Sequence, residues 1–165
     1  MKTKQLTTMA LLTALALVLS RVERLIPLEL IIPLPGVKLG LANTVTLFAL
    51  YRLSLPAAAL ILTARCLMGA LFSGNVTALA FSLTGGLLSM LAMAAAKRCP
   101  HLSVWGVSVL GAAGHNLGQI LAASLLMHSP GVAGYLPYLL LIGTVCGCAT
   151  AAVAAGVLRG LRKQG

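Results

Sequence analysis

One cation sits where a membrane would penalise it. Arg65 lies inside an apolar run, with about two turns of apolar residues before it and nearly two after. A cation at that depth is expensive in lipid, so it should face the protein interior, a cavity or a partner. Three readings follow. Arg65 holds an anionic ligand, or it pairs with Glu23 or Glu29 if the segment carrying them folds inward, or its long stem carries the charge out to the interface. A second polar group lies in Gly114-His115-Asn116-Leu117-Gly118-Gln119. His115 and Gln119 are four apart, and Asn116 and Gln119 three apart, so they share one side of a helix. Polar side chains at that depth need hydrogen-bond partners. A binding site or a water-filled cavity would supply them, and so would a neighbouring helix. Asn43 opens another apolar run just after Gly40 and either caps a helix or points at a ligand. Asn75 has the same two readings.

The absences restrict the chemistry further. The two acidic residues are both glutamate, Glu23 and Glu29, and there is no aspartate. No aspartate-rich motif can therefore hold magnesium against a diphosphate. No Gly-x-x-x-x-Gly-Lys-Ser/Thr segment occurs, which excludes a P-loop nucleotide site. No Ser/His/acid or Cys/His arrangement is present, and His115 has no second histidine near it in sequence, so no metal site, cofactor or enzymatic activity is expected. Cys66, Cys99, Cys146 and Cys148 match neither zinc-ligand nor disulfide spacing and read as small hydrophobes. His101 and His128 fall at the ends of apolar runs, where an interfacial place suffices. Tyr135 and Tyr138 fit an interfacial aromatic belt, with ligand stacking as the lesser alternative.

The elements that position these groups are membrane spans. The chain is 59% hydrophobic over 165 residues, with a mean hydropathy of +1.02. Apolar runs long enough to cross a bilayer recur along its whole length. They are continuous rather than alternating, which disfavours a β-barrel. The expected fold is therefore all-α, a polytopic membrane bundle forming one domain over residues 1–165. Six spans are predicted, at about 6–20, 39–51, 55–72, 76–96, 102–127 and 135–158. The second is the weakest, because its run is short for a crossing. The Lys2 and Lys4 start imitates a secretory signal. However, the Ala-x-Ala site near it, Ala14-Leu15-Ala16, lies inside the apolar run, so the segment reads as a retained first span.

The net charge of +10 points to topology rather than to nucleic acid. With the N-terminus inside, the cytoplasmic ends hold Lys2, Lys4, Arg52, Lys97, Arg98, Arg159, Arg162 and Lys163. The opposite side holds Arg21, Arg24 and Lys38, diluted by both glutamates. This is a positive-inside asymmetry with both termini cytoplasmic. Small residues recur one turn apart, as Ala10 and Ala14, Ser82 and Gly86, Gly114 and Gly118, and Gly143 and Gly147. Such pairs let helix backbones approach closely in lipid.

These features together resemble a known family. Six short spans, Ala10-x-x-x-Ala14, a proline-rich outer loop ending in Pro35-Gly36-Val37-Lys38-Leu39-Gly40-Leu41-Ala42-Asn43, and the run His115-Asn116-Leu117-Gly118-Gln119 are similar to the substrate-binding S components of energy-coupling-factor transporters. The nearest resemblance within that class is to the Gx transporter family, which also carries the older label heptaprenyl diphosphate synthase component I. The resemblance covers nearly the whole chain. It implies a bacterial plasma-membrane protein that binds a small molecule from outside, under the loop of residues 24–38. It also implies docking of the first helix, through Ala10 and Ala14, on a transmembrane coupling subunit served by two ATPases. Arg65, Asn43, His115, Asn116 and Gln119 are then the expected polar lining, with Arg65 favouring an anionic ligand. The older label implies an alternative: a non-catalytic membrane accessory subunit of a prenyl diphosphate synthase or of an isoprenoid or quinone pathway.

Overall fold

The computed structural model describes residues 3–23, 25 and 40–162. The expected lid with Arg24, Glu29 and Lys38 lies outside these residues, as do Lys2 and Lys163. Six α-helices and one short 3-10 segment make up the described chain: α1 (Thr3–Glu23), α2 (Asn43–Arg52), α3 (Leu55–Ser73), α4 (Val76–Ala96), α5 (Val104–Met127), the 3-10 turn Pro130–Tyr135, and α6 (Leu136–Arg162). The fold is all-α. Five of its helical stretches are long and apolar enough to cross a membrane, which suits a polytopic bundle.

The helix starts are written locally. Ser54, Asn75 and Ser103 precede α3, α4 and α5, and their side chains accept hydrogen bonds from the backbone N–H groups of Ala57, Ala78 and Gly106. A short polar side chain at that position satisfies an amide with no partner inside its helix. Asn75 is thereby a cap. Pro56 sits in the first turn of α3, where its missing N–H costs nothing. At the other ends, Gly74 and His128 adopt left-handed backbone and stop α3 and α5.

The second predicted span, 39–51, coincides with α2, whose described helix has ten residues. At 1.5 Å per residue it rises about 15 Å, half of a hydrocarbon core of about 30 Å. Gly40, at φ +82°, has left-handed backbone three residues before α2 begins. Six of the ten residues are buried, and α2 touches all five other helices. A helix end at membrane depth is tolerated where protein surrounds it, and α2 has that surrounding.

The long helices pack around it in sequence: α1 on α3, α3 on α4, α4 on α5, and α5 on α6. The small-residue pairs mark these seams. A Cβ on Gly114 or Gly118 would run into the α4 backbone at Leu88 or Thr84, and one on Gly147 into the α5 backbone at Val109. Gly86 lies against Leu62 and Arg65 of α3. Close backbone approach of this kind is the usual source of helix association in lipid, where apolar burial gives no driving force between helices. By contrast, among the described residues α1 touches only α3 and α2. Its buried positions, Met9, Thr13, Ala16, Ser20 and Glu23, recur at alternating steps of four and three, leaving the rest of the helix turned outward.

Candidate functional site

The polar residues of four helices meet around the start of α2. Arg65, 7% exposed, projects from α3. Its Nη1 donates to Ser20 Oγ on α1, and its Nη2 donates to Asn43 Oδ1 on α2, both at 3.4 Å. These bonds rule out the snorkelling reading. The Arg65 Nε has no hydrogen-bond partner among the described residues. One turn beyond Ser20, Glu23 is 3% exposed, and its carboxylate accepts from the Gly40 N–H. The sequence reading put Glu23 in a loop. It is instead the last residue of α1, folded into the core.

His115 of α5 closes the other side. Its ring fits between two glycines: a Cβ on Gly40 would lie 3.1 Å from His115 Cδ2, and one on Gly85 of α4 would lie 2.9 Å from Cε1 and Nδ1. The ring Nε2 shares a hydrogen bond with Gln119 Nε2 at 3.2 Å, the i to i+4 pair expected from the spacing. Gln119 is fully buried. Asn116 turns elsewhere. Its Nδ2 donates to the Leu139 carbonyl on α6 at 2.5 Å, which is helix-to-helix bonding. Four of the five expected lining residues, Arg65, Asn43, His115 and Gln119, thus belong to one cluster, and Asn116 joins the α5–α6 seam. Ser108 reinforces the same seam, donating to the Gly147 carbonyl at 2.8 Å and sharing a bond of 2.7 Å with Thr150.

The space beside the cluster is small. A pocket of ≈ 10 Å³ borders Gly40, Asn43, Met93, Ser108, Cys146 and Thr150. That is close to the least volume that accommodates one water, about 10–15 Å³. Among the described residues the cluster is therefore packed, with polar groups largely satisfying one another. Its chemistry is that of a buried ion and its hydrogen-bond cage. Glu23 and Arg65 carry opposite charges, and Ser20, Gly40 and Asn43 connect them. Glu23 is one of the two acids weighed as a partner for Arg65, whereas Ser20, Gly40 and Gly85 join the cluster with no signal in the sequence that marks them.

A second feature lies on the outside. Ala10 and Ala14 are exposed on α1 and border an apolar groove of ≈ 450 Å³ whose far wall is Leu60, Ala64 and Met68 of α3. The small side chains open this groove between α1 and α3.

The family model described as heptaprenyl diphosphate synthase component I matches residues 12–157, so the chain belongs to that family. No curated protein and no solved structure matches it. Membership in a component family agrees with the expectation that the chain has no enzymatic activity of its own.

Proposed function

Taking that membership as the premise, we propose that the chain is a non-catalytic membrane subunit serving a prenyl diphosphate synthase or a related isoprenoid or quinone pathway. Both termini are assigned to the cytoplasmic side of a bacterial plasma membrane. The observation that carries the reading is the family match over residues 12–157. The chain lacks the acidic ligands that prenyl transfer needs for magnesium, so catalysis belongs to a separate partner. Purification of the tagged chain from its own membranes tests the reading. Recovery of a prenyl diphosphate synthase supports it. Recovery of a coupling subunit with two ATPases in its place overturns it.

A second reading, an S-component-like binding protein for uptake of a small, anionic molecule, is favoured by one specific observation. Arg65, Asn43, His115 and Gln119 converge beside Gly40, and the Arg65 Nε is unpaired among the described residues. On this reading the cluster opens to admit the ligand. Ala10 and Ala14 then present the docking face to the coupling subunit, because bulkier side chains would hold the helices apart. Native mass spectrometry of the purified chain discriminates between the readings: a retained small molecule lost in Arg65→Ala supports uptake, and its absence from the intact protein opposes it.

A further inference from the structure

A groove of ≈ 360 Å³ lies at the opposite end of α2, where that helix stops, α5 begins and α6 finishes. Two arginines border it, Arg52 at the end of α2 and Arg159 near the end of α6. Tyr51 and Trp105 supply aromatic walls, and Val104 and Leu158 supply apolar ones. Lys97 adds a third cation beside the groove. Its ammonium lies 5.0 Å from the Tyr51 ring centroid and donates to the Leu50 carbonyl, which holds the Tyr51 wall in place. Among the described residues no carboxylate lines the groove. Glu23, the one acid among the described residues, is bonded to Gly40 before the other end of α2.

The simplest account of these cations is topological, since basic residues collect at cytoplasmic span ends. That account explains their number but not their convergence on one hollow with aromatic and apolar walls. Guanidinium groups match phosphate oxygens with paired N–H donors. Trp and Tyr suit the boundary between headgroups and chains. The volume lies within the range of small-molecule sites, about 300–1,000 Å³. The groove thus combines two guanidinium groups suited to a compact anion with aromatic and apolar walls.

We infer that this groove binds the head of a prenyl diphosphate, with Arg52 and Arg159 on the diphosphate and the isoprenoid chain lying over Val104 and Leu158 toward the bilayer. The inference rests on the accessory-subunit reading and names the ligand class that the subunit would hold for its partner. No bond is made or broken here. The groove retains an amphiphile at the membrane surface.

Binding of radiolabelled farnesyl diphosphate to the full-length chain in phosphatidylcholine nanodiscs tests it. Arg52→Gln and Arg159→Gln should each weaken binding about tenfold, the equivalent of one charge-assisted hydrogen bond, with unchanged melting temperature. Arg52→Lys should recover part of the loss, because it restores charge without the paired donors. Unchanged affinity in the double variant overturns the inference. Equal displacement by inorganic pyrophosphate overturns the role of the chain, and equal displacement by phosphatidylglycerol reduces the groove to a general anionic-lipid contact. The two proposals can fail separately. If a synthase co-purifies but farnesyl diphosphate does not bind, the groove falls and the accessory reading stands. If farnesyl diphosphate binds through both arginines and no synthase is recovered, the accessory reading falls and the groove stands.

Discussion

Gly118→Ala probes the seam that holds the Arg65 cluster together. A Cβ at this position would lie 2.6 Å from the Thr84 carbonyl oxygen and 2.7 Å from Gly85 Cα. Both are backbone atoms, so no side-chain rotation relieves the clash, and α4 and α5 must separate by about 0.8 Å to restore ordinary contact. Gly156→Ala on α6 is the matched control, because a Cβ there meets nothing within 4 Å. Both substitutions gain the same intrinsic helix propensity, about 1 kcal/mol. Their difference therefore isolates the steric cost, about 1–3 kcal/mol for overpacking. On the scale of a domain of this size, each kcal/mol corresponds to about 2–4 °C, so Gly118→Ala should melt below Gly156→Ala by several degrees. The assay is the fraction of detergent-solubilised protein that stays monodisperse after stepwise heating. Equal melting of the two variants would refute backbone contact between α4 and α5, and with it the packing that presses His115 against Gly85 and Gly40.

Two further predictions concern the cluster and the outer face. Arg65→Ala strands the Ser20 hydroxyl and the Asn43 carbonyl in the core, which costs about 1–3 kcal/mol for each buried group left unpaired. Its melting temperature should fall well below that of Gly156→Ala, and a loss too small to measure would remove the assignment of Arg65 as the tie between α1, α2 and α3. Ala14→Trp changes an exposed position bordering the apolar groove. It should leave the melting temperature of the isolated chain within error and reduce recovery of whichever partner complex co-purifies with the parent. Full recovery would place the partner contact away from this face.

The elements most legible in the sequence were those whose limits are marked by local chemistry. The helices α3, α4 and α5 begin after Ser54, Asn75 and Ser103, short polar side chains that cap whatever helix follows. Their predicted limits agree with the structure to within two residues at every end. The first helix ran further than its apolar stretch, from Thr3 to Glu23, because hydropathy locates the lipid-facing core while backbone hydrogen bonding continues through polar residues. That extension is why Glu23 was misplaced. An acid after an apolar run reads as loop, and nothing local reveals that its partner is an amide 17 positions later. The limits of the second span were less legible for a related reason. A run of thirteen residues and a helix of ten have similar composition, and only the tertiary surroundings show that α2 packs against all five other helices. Within the cluster, the His115–Gln119 pair was legible because i to i+4 spacing fixes adjacency on any helix. The partner of Asn116 was not, since it depends on how α5 rotates against α6. That rotation follows from glycines at 143 and 147, where the α6 backbone meets α5. The spacing of small residues therefore identified the contact surface, while the direction of each polar side chain across it required the third dimension.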